Sequence, residues 1–272
     1  MSRRIRDIPY GPGDRQIGDL LLPAGPAEGP PVLLIHGGSW GGMSKEAVES
    51  IAESFQANGH AVYSINYRLI PGSPWPACGD DCLAAGHFLL NGGLAENGLP
   101  APADLLVCGA SAGGHLAMMT GLRLPRERVR GILSLAGPSR WDPRDDTEDS
   151  VVRKPGLIEA FFGGPVEIGS PQVKAASPID CVPKNPPPLI CIHSTNDRLV
   201  PPSHSEAAAT AWQAAGAPAG VRTFAGPGPY HGFWAREGEE WRELVPEFET
   251  LLTGALKDLR GSRPLAFTEP LG

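Results

Sequence analysis

Apolar residues in this chain gather into short unbroken runs, and the stretches between the runs carry a helical spacing. Val32–Ile35, residues 61–66, 105–108, 129–136, 189–193 and 221–224 are the runs, each bounded by glycine, proline or polar residues. A continuous run without alternation suits a strand buried on both faces. Between the first two runs, Ala47, Val48, Ile51, Ala52 and Phe55 recur at helical spacing. That predicts a helix over 44–58, with Ser44 placed to cap it and Gly59 to stop it. Further helices are expected over Ala77–Leu90, 112–121, 203–215 (opened by a proline) and 241–259. Ahead of this alternation, 1–30 holds two short strand candidates, 5–8 and Ile17–Leu22, read as an antiparallel edge.

Strand followed by helix, again and again, predicts an α/β fold with a mostly parallel central sheet covered by helices on both faces. The length of 272 residues is read as a single domain. The rhythm breaks over 138–188, where an acidic, turn-rich stretch, a short helix over 150–162 and Pro186-Pro187-Pro188 are read as a small lid-like insertion. Residues 260–272 read as a loose tail.

Hydrophobic residues are 41% and charged residues 19%, which excludes wholesale disorder. A net charge of −7 without a basic stripe argues against nucleic acid or an anionic membrane as partner. No apolar run approaches the ~18 residues a membrane span needs, and no apolar segment follows the charged N-terminus as a secretory signal would require. The five cysteines lack metal-type spacing. Cys108 and Cys191 read as buried thiols, and a reduced cytoplasmic setting is the expectation. Neither a cofactor nor a metal is expected.

Candidate chemistry collects where strands end. The run 105–108 leads into Gly109-Ala110-Ser111-Ala112-Gly113 and then a helical pattern. In a strand–turn–helix context, G-x-S-x-G is a nucleophile elbow: the serine sits on a strained turn, and the glycines allow strand and helix to approach each other. A plain small-residue turn is the competing reading. Val32–Ile35 ends in His36-Gly37-Gly38-Ser39-Trp40-Gly41-Gly42, read either as an oxyanion loop or as a flexible connection. It has neither the lysine of a P-loop nor the G-x-G-x-x-G spacing. Asp197 lies on a polar turn after 189–193, and His231 lies in a glycine-flanked loop after 221–224.

Ser111, Asp197 and His231 thus occur in the order nucleophile, acid, base, and a parallel sheet brings three strand ends to one edge. The backbone N–H groups of Gly38, Ser39 and Ala112 are the expected oxyanion donors. Trp40, Phe161, Phe162 and Phe233 are candidates for the substrate pocket. Among the rivals, His36 reads as a brace for its loop and His193 as a hydrogen-bonded core residue. His60, His87, His115 and His204 have only structural readings. Asp180 and Glu206 are alternative acids, and Asp81 is a structural partner for backbone amides or a cation.

The segments HGGSW (36–40), NYRL (66–69), PACGDDCLAA (76–85), GASAGGHLA (109–117), SPID (177–180), NDRLVP (196–201) and YHGF (230–233) resemble the α/β-hydrolase superfamily. Within it they are similar to the esterase/lipase group that includes hormone-sensitive lipase, acetyl esterases, feruloyl-esterase-like proteins and kynurenine formamidase. Ser39 stands where the hormone-sensitive-lipase group usually has a third glycine, and 1–30 leaves no room for that group's helical cap. The resemblance implies an α/β-hydrolase fold with a small cap or none. It further implies a serine hydrolase that cleaves a small or medium carboxylic ester through an acyl-serine intermediate. An arylformamidase is the alternative, and a non-catalytic binding module on the same scaffold the third reading. The expected partner is a small-molecule ester or formamide; oligomeric state is left open.

Overall fold

The apolar runs pair side by side. In the computed structural model, which describes residues 3–142, 146–225, 231–234 and 245–260, they form one eight-stranded sheet. In chain order its strands are β1 (Arg3–Pro9), β2 (Ile17–Leu22), β3 (Val32–Ile35), β4 (Val62–Ile65), β5 (Leu105–Ala110), β6 (Val129–Leu135), β7 (Leu189–Ser194) and β8 (Ala219–Phe224). Across the sheet they lie in the order β1-β2-β4-β3-β5-β6-β7-β8. β1 and β2 form the antiparallel edge, β2 is antiparallel to β4, and β3 to β8 run parallel. All parallel strand ends therefore point one way, which gathers the turns after β3, β5, β7 and β8 on one edge.

The helices are α1 (Glu49–Ala57), α2 (Ala77–Leu90), α3 (Ala112–Arg123), α4 (Leu157–Phe162), α5 (Pro171–Lys174), α6 (Ser203–Ala214) and α7 (Val245–Arg260). Successive strand residues face opposite sides, and the core divides accordingly. Leu33 and Ile35 of β3 pack with Cys82 and Leu89 of α2, Leu116 of α3 and Trp212 of α6. Val32 and Leu34 pack with Ile51 and Phe55 of α1 and with Phe248 and Leu252 of α7. The mostly parallel sheet with helices on both faces is the expected α/β-hydrolase architecture.

Two helix expectations are corrected. The helix over 44–58 is a 3₁₀ turn at Lys45–Val48 followed by α1, and Ser44 caps neither. Its hydroxyl donates to Glu46 instead. The change from 3₁₀ to α falls at Val48, at φ −119° and ψ 20°, while at the start of the turn the buried Lys45 ammonium meets Asp7, Asp19 and Glu46 and the Lys45 N–H donates to Asn66 Oδ1 at 2.7 Å. The helix over 150–162 is likewise split, into a 3₁₀ turn at Val151–Arg153 and α4. Pro155 and Gly156, the latter at φ 75°, separate them. Arg260, read as the start of the tail, ends α7, and 241–244 and 261–272 lie outside the described residues.

Asp81 fills its structural role. It accepts from Gln16 Nε2 at 2.7 Å, from the Arg68 N–H at 2.8 Å and from the Arg68 guanidinium at 2.7 Å. Among the described residues, no helix is long and apolar enough to cross a membrane.

Candidate active site

The turn after β5 is as tight as its glycines allow. Ser111 sits at φ 55°, ψ −123°, with its N–H donating to Leu135 O at 2.8 Å and its carbonyl accepting from Gly114 and His115 at the start of α3. A Cβ on Gly113 would lie 2.1 Å from Ile35 O, and one on Gly109 2.1 Å from Gly113 O. Only glycine lets α3 press its first turn onto the end of β3. That contact forces the serine into a conformation a non-glycine residue rarely adopts, and the elbow absorbs the strain.

Three strand-end turns then meet. Ser111 Oγ donates to His231 Nε2 at 2.7 Å, and His231 Nδ1 donates to Asp197 Oδ2 at 2.7 Å. These directions follow from the carboxylate being an acceptor only. Asp197 is 3% exposed. Its other oxygen accepts from the N–H groups of Leu199 and Val200, each at 2.9 Å. Burial penalises its charge, but the hydrogen bonds from His193 and His231 win and hold its carboxyl below the usual range. Asp180 and Glu206 make no contact with His231 among the described residues. The His231 loop is anchored beside the site: Phe233 packs edge-on against Phe224, Trp234 contacts the His231 ring, and Ser50 Oγ donates to Trp234 O.

The loop after β3 passes along the elbow, where a Cβ on Gly37 would come within 3.0 Å of Ser111 Cβ. Gly38, Ser39 and Trp40 follow at φ 103°, 50° and 58°. All three lie in the left-handed region, which Ser39 and Trp40 adopt although non-glycine residues seldom do. Gly38 O accepts from the N–H groups of Gly41 and Gly42 at 3.1 and 3.0 Å, which closes the loop behind.

The substrate-pocket expectation is corrected. Trp40, Phe161 and Phe233 have no exposed surface and Phe162 is buried. Trp40 and Phe161 belong to an aromatic cluster with Trp75, Trp141 and His115, and Phe162 packs edge-on against Trp141. Trp40 Nε1 donates to His115 Nδ1 at 3.1 Å, and His115 Nε2 donates to Ala176 O at 2.8 Å. Burial pushes the His115 imidazole down to about 4. These side chains anchor the loop after β3 and the 138–188 segment instead of facing an open cavity. Phe233 fills the opposite face of the sheet, against Phe248.

Sequence reasoning missed two supports. His193 is the hydrogen-bonded core residue expected, held by Ser205 Oγ at 2.7 Å and Val200 O at 2.8 Å, yet its Nε2 also lies 3.3 Å from Asp197 Oδ2. Its place four residues before the acid, at the end of the same strand, was the available signal. The second is Asp146, buried between His204 at 3.1 Å and Arg140 at 3.0 Å. Beside it, Thr147 Oγ1 donates to Arg198 O at 2.8 Å and the Val151 N–H to Leu199 O at 2.7 Å, so the 138–188 segment is fastened to the turn that carries Asp197. Nothing local in the sequence marks a pairing of such separated residues.

Comparison with known proteins agrees with this architecture. Over 250 residues the chain is 30% identical to the esterase LipQ of Mycobacterium tuberculosis, covering 85% of this chain and 58% of LipQ. It is 28% identical over 120 residues to the kynurenine formamidase of Danio rerio, covering 44% of this chain and 39% of that protein. The chain spans about half the length of the curated relatives LipQ and LipC. A solved structure described as a truncated carbohydrate esterase from gut microbiota superposes with a TM-score of 0.71 at 21% identity, covering 92% of this chain and 96% of that one. Residues 19–212 match the model of the BD-FAE family, a span that holds Ser111 and Asp197 and ends before His231. The chain therefore belongs to the BD-FAE family, on an α/β-hydrolase fold.

Proposed function

We propose that this protein is a serine esterase acting on small or medium acyl esters. The observation that carries this reading is the unbroken line Ser111 Oγ–His231–Asp197, 2.7 Å at each link, beside a left-handed glycine loop. Ser111 Oγ attacks the ester carbonyl carbon as its proton passes to His231 Nε2. The carbonyl oxygen becomes an oxyanion held by the N–H groups of Gly38, Ser39 and Ala112, and Asp197 balances the charged imidazole. Collapse expels the alkoxide, which takes the proton from His231 and leaves acyl-Ser111. Water then attacks with His231 again as base, releasing the carboxylate and restoring the serine. Ser111 and the His231 side chain remain 8% and 16% exposed, so a substrate reaches them from solvent. Residues 1–272 act as one catalytic domain in this reading, and the unpaired cysteines support a reducing, cytoplasmic setting.

The similarity to kynurenine formamidase favours arylformamidase as the second reading, because the same groups cleave an N-formyl arylamine. Hydrolysis of p-nitrophenyl acetate by wild type and Ser111→Ala tests the first. Turnover that collapses in the variant establishes ester cleavage through Ser111, and equal rates overturn it. Turnover of an N-formyl arylamine without any of the acetate selects the second reading.

A further inference from the structure

The donor side of the site depends on a residue far from it in sequence. Arg15 lies in the turn joining β1 to β2, at the antiparallel edge. Gln16 docks this turn on Asp81, and Tyr10 docks it on Asn66 O. From there the Arg15 guanidinium spans three segments. Its Nε donates to Tyr67 O at 2.7 Å, and its Nη2 donates to Met43 O at 2.9 Å and faces His36 Nε2 at 3.5 Å. It thus touches both ends of the loop 36–43 at once.

What lies between is the Gly37 carbonyl. His36 Nδ1 is 2.7 Å from Gly37 O, so Nδ1 carries the hydrogen and Nε2, which faces Arg15, is the acceptor. The Tyr67 hydroxyl lies 3.0 Å from His36 O and 3.2 Å from Gly37 O, and its single hydrogen is shared between the two carbonyls. The two rings stack at 4.3 Å and 13°. A trans peptide sets its N–H opposite its C=O. Two donors holding the Gly37 carbonyl on one side therefore direct the Gly38 N–H to the other.

We propose that Arg15 is a positioning residue for the oxyanion loop: by bridging Tyr67 O, Met43 O and His36 Nε2 it keeps the Gly37–Gly38 peptide turned so that the Gly38 N–H meets the developing oxyanion. The proposal rests on Ser111 being the nucleophile. Arg15 touches no substrate. Its loss leaves ground-state binding in place and weakens a contact made in the transition state, so kcat falls and KM stays.

The test compares wild type, Arg15→Ala, Arg15→Lys and Ser111→Ala on p-nitrophenyl acetate, with thermal melts of each. Deleting an oxyanion donor outright costs ~10²–10³ in kcat, and misdirecting one is expected to cost about 10-fold with KM unchanged within about twofold. Millimolar guanidinium should restore part of the lost turnover in Arg15→Ala and none in wild type, which a merely structural role would not produce. If Arg15→Ala does not fold, Arg15→Lys carries the test, because one ammonium cannot bridge all three acceptors and the same kcat loss is expected. Unchanged kcat in a folded Arg15 variant, or a loss that follows the melted fraction and resists guanidinium, overturns the proposal while Ser111→Ala remains inactive. Equal turnover by Ser111→Ala and wild type overturns the underlying reading as well.

Discussion

His193 Nε2 lies 3.3 Å from the Asp197 oxygen that accepts from His231. Asp197 is therefore gripped by a second imidazole from β7, itself held by Ser205 and Val200 O. His193→Ala leaves Val200 O without this partner and takes the second imidazole from the Asp197 oxygen that faces His231, so that oxygen is less firmly aligned although the Leu199 and Val200 N–H groups still hold the other one. An unsatisfied buried acceptor costs about 1–3 kcal/mol, and a misaligned acid slows proton transfer. We expect kcat/KM on p-nitrophenyl acetate to fall about 10-fold, with His193→Gln recovering much of it. Parallel kinetics on the two variants check this, and equal losses in both would refute a hydrogen-bonding role.

The elbow makes a sharper steric claim. A Cβ at Gly113 would lie 2.1 Å from Ile35 O and 2.5 Å from His36 O, both backbone atoms that cannot swing aside. Gly113→Ala must push α3 off the end of β3, and we expect it to destabilise by more than about 3 kcal/mol or fail to fold. Among the described residues, nothing lies within 4 Å of where a Cβ on Gly232, next to His231, would stand. Gly232→Ala should stay within about 0.5 kcal/mol of wild type. Urea unfolding of the pair decides, and similar midpoints would contradict the close approach.

The same contrast shows what could be read beforehand. Unbroken apolar runs such as Val32–Ile35 announce doubly buried strands, and the chemistry-bearing residues stand out because glycine or polar turns follow those runs. Burial of an aromatic is harder: Phe161 is apolar whether it walls a pocket or fills a core, and only the meeting of Trp40, Trp75 and Trp141 around it decides. Pro155-Gly156 was punctuation for two short elements instead of one helix. Arg15 lay hidden for another reason, since a polar turn residue looks solvated until the turn is docked against the loop it braces.

Buried imidazoles set the acid tolerance of the fold. Burial lowers His36 and His115 from 6.5 to about 4, and it lowers His204 as well. Between these values the unfolded chain binds protons that the folded one refuses, so stability falls as pH falls. The loss begins near 6.5 and runs to about 4, worth roughly 3 kcal/mol for each of His36 and His115. Carboxylates held low, Asp197 and Asp146, act in a lower window: their contribution is present above the unfolded carboxylate value and lost as pH drops through the folded one. Urea midpoints from pH 7.5 down to about 4.5 should decline, and His115→Gln, which keeps the Ala176 hydrogen bond without a titrating ring, should flatten the decline. An unchanged slope in that variant would remove His115 from the account.

Phe161 has no exposed surface, and its carbonyl accepts from the Trp75 N–H at 2.7 Å. Its ring lies 4.1 Å from that of Trp141 and 5.1 Å from that of Trp40. Truncation opens a void under the 138–188 segment and removes aromatic contacts from both tryptophans. Phe161→Ala is therefore expected to cost about 3–5 kcal/mol. It should leave the order of preference among p-nitrophenyl acetate, butyrate and octanoate as in wild type, once rates are corrected for the folded fraction. Equilibrium urea unfolding and the three-ester panel together separate the alternatives. A stable variant with a shifted preference for acyl length would return Phe161 to the wall of the substrate pocket, whereas lost stability with the ranking kept places its contribution in the core that supports the loop after β3.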